Sequence, residues 1–490
     1  MSQETGKTFC ILPWVHMTLF PEGSVKLCCK ATDSVNKDGE FLSLQSQGLD
    51  AIWNSEYMRE TRKRMVEGKG VKACANCYHL EKTMGESYRT YQNARWKATL
   101  GPKFDSLVEE SKRLDLVAQE PPVFYQLMPG NLCNLKCRMC SPTFSSLIER
   151  DHVHSRWTGP ALGSEGSPVV FHSPAGASDR GVDRLPNGPW YRDDAWVREV
   201  LLKNVRQVRS LYFTGGEPMI EKQVENILEH LIAEGVAGSV DIELNTNATI
   251  VRDAMLERLQ RFKGLNIGLS LDAYGRYHEY IRYPARWRVI ERNVEKLAAI
   301  ASDRFIVVAN PVLQVYNVLN IVEALQFFDR MELPHSIYFA ETPPFLAVHS
   351  LPARVRNLAA ARLRAYAAGC GGRYRTQSAA HALSVADYLE KLPDQWTQDS
   401  LRTLMLFTND LDADRKQSVR QVHSELLALL AQDGFTWTDE RSPQPASGRP
   451  FGAPIVVPKA VWRVPLLRRW AGRASRIPLL RQVLRRLVSA

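Results

Sequence analysis

Cys133, Cys137 and Cys140 stand in the stretch NLCNLKCRMC, a C-x3-C-x2-C spacing short enough for three thiolates to converge on one inorganic cluster from a single loop. A four-iron cube held by only three cysteines leaves one iron free to take a small molecule, whereas a structural site normally closes its coordination. A zinc ion borrowing a fourth ligand from elsewhere is the competing reading, since thiolates suit both. A second group lies upstream: Cys10, the adjacent Cys28 and Cys29, and the Cys74/Cys77 C-x2-C pair. With Cys10, Cys74 and Cys77, one of Cys28 and Cys29 completes four ligands, enough for zinc or for a fully ligated 4Fe-4S cluster. Cys28, with four residues between it and Gly23, is preferred over Cys29, because two adjacent cysteines seldom reach the same metal. Cys370, in GCGG, has no partner nearby and reads as a spare thiol.

Thr214-Gly215-Gly216-Glu217-Pro218 adds a second kind of chemistry. Two glycines let backbone N–H and C=O groups approach a ligand closely, and the carboxylate beside them can take a cationic amine. Further polar residues close apolar runs: Asn245, Thr246 and Asn247, then Ser270 and Asp272, then Asn310 and Glu341. Ser270 and Asp272 alternate, so they point to one side and can reach ribose hydroxyls; capping the next helix is the plainer role for Asp272. Arg282, in HEYIRYPARW, can bind a carboxylate bidentately or sit in a surface salt bridge.

The elements that must position these groups follow from pattern. An apolar run at 123–127, stopped by Pro129 and Gly130, predicts a strand whose C-terminal end carries the cysteine loop. Residues 207–213, 240–244, 265–269, 305–308 and 336–339 read as further strands, alternating with helical stretches such as 220–233; this is the signature of a parallel sheet wrapped by helices. Ligand loops of such sheets leave the C-terminal strand ends. Residues 142–153 predict one helix after the first strand. Segment 155–194 is rich in Gly and Pro, and reads as a lid over the cluster or a surface excursion. Residues 23–28 predict a turn and short strand, and 52–65 a helix. The division expected is a Cys-rich module at 1–100, a connecting helix at 101–120, a core at 121–345, a helical extension at 346–440, a linker at 441–458 and a basic tail at 459–490. Within the extension, acidic residues up to Arg415 can approach the cluster face, although solvated turn residues are the simpler reading.

The chain has 490 residues, 44% apolar and 24% charged, as in ordinary globular proteins. Nine cysteines with ligand-type spacing favour metal chemistry in a reducing compartment, hence the cytoplasm, over disulfides. No signal peptide or membrane span is expected. The formal charge of +10 is concentrated in the tail, whose nine basic and no acidic residues leave the remainder at +1. Two short amphipathic helices there suit an anionic membrane surface, here the inner membrane face, or an acidic partner. No nucleic acid partner is expected, because the body lacks a basic, aromatic groove.

The cysteine triplet, GGEP, the SLDA strand end and Arg282, in this order, resemble the radical S-adenosylmethionine (radical SAM) superfamily. Residues 1–100, with a Cys, G-x4-C, an IWNS helix and C-x2-C, resemble the auxiliary-cluster modules called SPASM and twitch, here ahead of the core where those modules usually follow it. Met139 stands where that family commonly has an aromatic residue. The resemblance implies an α/β fold, a partial (β/α)6 barrel with the Cys-rich module before it and a helical extension after it. It also implies site roles: Cys133, Cys137 and Cys140 hold a 4Fe-4S cluster whose free iron chelates S-adenosylmethionine. Gly215, Gly216 and Glu217 bind the methionyl amine, Ser270 and Asp272 the ribose, Arg282 the carboxylate, with Asn247 beside the cofactor. Cys10, Cys28, Cys74 and Cys77 hold a second, auxiliary 4Fe-4S cluster. One electron, from a donor such as flavodoxin or ferredoxin, then cleaves the sulfonium to a 5′-deoxyadenosyl radical that takes a hydrogen atom from substrate. A peptide or protein is the expected substrate; a small-molecule, sugar or cell-envelope substrate is the runner-up. A non-catalytic metal-binding or electron-transfer protein is the alternative from another class.

Overall fold

Ile242, Leu244 and Thr246 are buried while Asp241, Glu243 and Asn245 between them are half-buried, so this strand sorts one face to packed helices and the other to the interior of a curved sheet. The computed structural model describes residues 8–85, 87–158 and 189–443. Met1 to Lys7, most of the 155–194 segment with its lid reading, and nearly all of the linker and basic tail lie outside the described residues. The described residues make one compact unit.

The strands are β1 (His16–Leu19), β2 (Val25–Lys26), a small hairpin of β3 (Asn36–Lys37) and β4 (Glu40–Phe41), β5 (Phe124–Leu127), β6 (Ser210–Phe213), β7 (Asp241–Thr246), β8 (Gly264–Leu269), β9 (Phe305–Ala309), β10 (Val312–Leu313) and β11 (Tyr338–Phe339). Seven form one sheet in the order β2-β1-β5-β6-β7-β8-β9, parallel throughout except for the antiparallel β1/β2 pair. Helices Lys222–Ala233, Asp253–Leu259 and Trp287–Ala298 make the crossovers. The fold is therefore the expected α/β partial barrel, with its sixth strand displaced. β11 pairs with β10 instead of β9, and only an Ala309–His335 bridge ties that pair to the main sheet.

Two other elements differ from expectation. The first strand of the sheet comes from the Cys-rich module: β1 pairs in parallel with β5, His16 opposite Phe124 and Leu19 opposite Leu127. Every residue of β1 is buried, so the run shows no alternation and periodicity does not reveal it. Residues 142–158 form three short pieces, Pro142–Phe144, Ser146–Glu149 and His152–Thr158, instead of one helix. Ser145 ends the first piece and caps the second through its hydroxyl, which breaks the run.

The barrel interior is polar at its floor. Arg95, from helix Tyr88–Leu100, forms a 2.6 Å ion pair with Glu243 and reaches the Ser210 hydroxyl at 3.1 Å. Above that layer Asn245 donates to the Tyr212 hydroxyl at 2.6 Å. Gly268 makes room for this: a Cβ there would stand 2.1 Å from Asn245 Oδ1 and 2.5 Å from Asn310 Nδ2. The expected helical extension follows as Ala353–Gly369, Arg375–Lys391, Gln398–Arg415, Val419–Val422 and Ser424–Gln432. Among the described residues no helix is long and apolar enough to cross a membrane.

Candidate active site

At the C-terminal strand ends a cavity of about 350 Å³ carries Cys133, Cys137, Cys140, Gly215, Gly216, Glu217, Asn247, Ser270 and Arg282 on its wall. All but one of the residues gathered around the first cluster by sequence thus meet at one place. Phe20, Gln126, Met128 and Phe144 complete the wall without having been singled out. Gln126 carried a usable signal, a polar residue inside the apolar run VFYQL; Phe20 carried none, since β1 itself was unseen. Asn310 faces Gly268 and Glu341 is exposed, so neither joins the wall.

The glycines serve a purpose nearer than the ligand. Gly215 adopts φ +117°, and a Cβ on it would stand 2.8 Å from the Gly130 carbonyl oxygen. On Gly216 a Cβ would lie 2.0 Å from the Leu132 carbonyl oxygen. The two residues let this turn seat directly on the cysteine loop, and the Glu217 N–H completes the contact by donating to Leu132 O at 2.8 Å.

Glu217 is buried, and its carboxylate accepts from Met219 N–H at 3.0 Å, the Thr246 hydroxyl at 2.7 Å and Asn247 N–H at 2.7 Å. That occupies three of roughly four lone-pair sites, leaving one on Oε2 for a further donor. Burial raises its pKa to about 6, against the pull of those hydrogen bonds. An acceptor that gains a proton as pH falls through about 6 loses its charge there. Binding of an amine ligand is therefore expected to weaken several-fold as pH drops below about 6 and to be flat above it, checked by calorimetric titration.

Asp272 departs from its expected role. It is fully buried, off the cavity wall, and accepts from Arg282 Nε at 2.7 Å, another Arg282 nitrogen at 3.2 Å and Val312 N–H at 3.0 Å. With those partners its carboxylate holds an arginine. Arg282 keeps a place on the wall, and its remaining nitrogen lies 3.8 Å from the Cys137 sulfur. The guanidinium so aimed favours a thiolate at Cys137, opposing the burial that raises this thiol. Burial also raises Cys140, and pushes Cys133 up to about 12 with help from Cys137. Metal assembly must therefore displace protons that burial favours.

The cysteine loop is anchored from outside the barrel. Lys136 N–H donates to Tyr283 O at 2.6 Å and Arg138 N–H to Ile281 O at 2.8 Å, so Cys137 lies between two backbone bonds. The buried Arg138 guanidinium lies 3.8 Å from the Tyr280 ring centroid and pairs with Asp412 at 2.5 Å. Asp410, fully buried, pairs with Arg156 and accepts from Trp157 Nε1 at 2.9 Å. The acidic stretch ending at Arg415 is thus the packed end of helix Gln398–Arg415, against the simpler expectation of a solvated turn. Its apolar positions, Leu404, Phe407 and Leu411, turn the whole helix inward.

The upstream cysteines gather separately. Cys10, Cys28 and Cys77 are buried and Cys74 half-buried. Burial raises the Cys10 and Cys28 thiols, helped at Cys10 by Cys74 and Cys77 and at Cys28 by Cys29, Cys10 and Cys74. A Thr32 N–H to Ala73 O bond of 3.1 Å joins the Cys28 turn to the Cys74 segment. Cys29 is exposed and stands on the wall of the main cavity. Cys370 is buried, its sulfur 3.7 Å from the Ala367 and Arg375 carbonyls, in line with a spare thiol.

The sequence profile of the Radical SAM superfamily matches residues 127–328, and that of the SPASM iron-sulfur cluster-binding domain matches residues 10–78. No curated protein matches the chain. Among solved structures, Streptococcus suis SuiB bound to S-adenosylmethionine is 16% identical, with a TM-score of 0.32 over 63% of this chain and 60% of that one. Native anSMEcpe with bound AdoMet is 16% identical, with a TM-score of 0.33 over 50% of this chain and 60% of that one. SuiB bound to precursor peptide SuiA is 15% identical, with a TM-score of 0.31 over 80% of this chain and 71% of that one. The chain thus spans about 60% of the length of the first two. The superfamily implies a 4Fe-4S cluster with S-adenosylmethionine, and the second domain implies auxiliary iron-sulfur clusters. With three cysteines at the strand ends of a partial barrel and an iron-sulfur domain ahead of it, the chain carries a radical SAM superfamily domain with a SPASM-type region before it.

Proposed function

We propose that this protein is a radical SAM enzyme that abstracts a hydrogen atom from a peptide or protein substrate. The observation that carries the chemistry is the single cavity walled by Cys133, Cys137 and Cys140 together with Glu217 and Arg282. That donor set fits the cofactors: three thiols for a cluster with one open iron, an acceptor for an amine and a cation beside the sulfurs. When bound, the cluster and S-adenosylmethionine supply one-electron cleavage and a carbon radical. Glu217 would accept from the amine through its remaining lone pair, Ser270 and Asn247 would orient the nucleoside, and Arg282, held by Asp272 beside Cys137, would bind the carboxylate. Met128 and Phe20 keep water from the reacting face.

The peptide reading rests on the SPASM-type region sharing its strand β1 with the barrel, which puts Phe20 and Cys29 on the cofactor wall. Phe144 on that wall and the neighbouring Leu132 stay exposed, giving an apolar mouth able to take a chain segment. Reconstituted protein reduced with dithionite should turn S-adenosylmethionine into 5′-deoxyadenosine and methionine; absence of both sinks the enzyme reading. Deuterium appearing in 5′-deoxyadenosine from a labelled peptide pool, and not from labelled metabolites, supports the peptide; the reverse supports a small molecule. Flavodoxin or ferredoxin is the proposed electron donor.

We assign Cys10, Cys28, Cys74 and Cys77 to the auxiliary cluster. Cys28→Ser is expected to lose that cluster's iron, about four atoms per chain, while Cys29→Ser keeps it. Iron and sulfide analysis decides between them.

A further inference from the structure

Four cations surround the loop that carries Cys133, Cys137 and Cys140, and three of them have carboxylate partners. Lys136 reaches Asp151 at 2.6 Å and Asp414 at 3.4 Å, Arg138 reaches Asp412 at 2.5 Å, and Arg282 reaches Asp272 at 2.7 Å. Arg415 is the exception. It ends helix Gln398–Arg415, is 3% exposed, and forms no carboxylate ion pair among the described residues. One guanidinium nitrogen meets His154 Nδ1 at 2.9 Å, while Nε and the other terminal nitrogen have no partner. Its carbon stands 5.4 Å from the Tyr283 ring centroid, and the Tyr283 carbonyl accepts the N–H of Lys136, the residue before Cys137.

A buried, unpartnered guanidinium is costly, and a fold that keeps one normally sets an anion against it. The groups facing it here offer little: Asp151 and Asp414 are shared with Lys136, His154 is neutral because burial lowers its pKa, and Arg138 repels. Burial and that repulsion pull the pKa of Arg415 down to about 10, so it remains charged near neutrality. A cluster on three thiolates is a net anion and becomes more so on reduction, and nearby positive charge raises the potential at which it takes an electron.

We propose that Arg415, delivered by the helical extension, is the counter-charge of the cluster held by Cys133, Cys137 and Cys140 and raises its reduction potential. Arg415 would then act as a positioning residue for charge, with no contact to substrate. The inference rests on the assignment of that cluster made above.

The test is an anaerobic redox titration of the full-length reconstituted protein, followed by paramagnetic resonance. The signal that changes on adding S-adenosylmethionine reports the three-cysteine cluster apart from the auxiliary one. Arg415→Met should shift its midpoint potential downward, Arg415→Lys should leave it near the wild-type value, and Asp414→Asn, removing a nearby negative charge, should shift it upward. An unchanged potential in Arg415→Met with full iron content overturns the proposal. Should Arg415→Met fail to fold or assemble, Asp414→Asn decides: an unchanged potential there overturns it equally. If the wild-type protein shows no signal responsive to S-adenosylmethionine, the cluster assignment fails instead, which is a distinguishable result.

Discussion

Replacing Cys137 by alanine should remove about four irons per chain and take 5′-deoxyadenosine formation with dithionite to background. The reason is positional. Cys137 is held between the Lys136 and Arg138 backbone bonds, with Arg282 3.8 Å from its sulfur, so its thiol is fixed in place on the cavity wall. Cys29 shares the cavity wall but lies on a different turn, in the SPASM-type region. Cys370→Ala is the control, because that buried thiol lies far along the chain in the helical extension; it should leave iron and turnover unchanged. Iron analysis and product chromatography on both variants check this. A wild-type protein that binds one zinc and no iron at this triplet would sink the assignment, as would a Cys137→Ala variant that keeps both iron and activity.

Asp272→Ala should cost about 3–5 kcal/mol of stability, the usual penalty for stripping one partner from a buried ion pair. Asp272 is fully buried and satisfies two nitrogens of Arg282 as well as Val312 N–H. Alanine strips that buried guanidinium of its carboxylate partner and leaves it charged, with the Cys137 sulfur 3.8 Å away. A loss of this size is a large part of the 5–15 kcal/mol that holds a typical domain together. The expected result is a clear fall in melting temperature and in soluble yield, smaller for Asp272→Asn, which keeps an acceptor for Val312. Thermal unfolding without cofactor separates the two roles: an unchanged melting temperature combined with weaker S-adenosylmethionine binding would return Asp272 to the ribose.

Much of the site was legible because its chemistry is local. The cysteine triplet and GGEP are short contiguous runs, and each strand end announces its loop by a change from apolar to polar residues. The Asp272 to Arg282 pair was not legible, because alternation says which residues share a face, while the partner, Arg282, is set by how the next helix and turn fold back. The glycines of the turn at 215 and 216 were read as letting the backbone approach a ligand, and in the structure they are where two loops of the chain itself come close. What approaches them, the Leu132 and Gly130 carbonyls, depends on two loops meeting.

By itself the sequence determined where the thiols cluster and the strand-and-helix alternation of the core, because thiol spacing and hydrophobic period are properties of neighbouring residues. Only the tertiary structure decided that the SPASM-type region lends β1 to the barrel sheet and that Cys29 parts from Cys28 to face the cofactor wall. The same holds for the charged end of helix Gln398–Arg415, which braces the cysteine loop. These contacts join residues from about 100 to 280 positions apart, and burial on both faces erases the pattern that would have marked them.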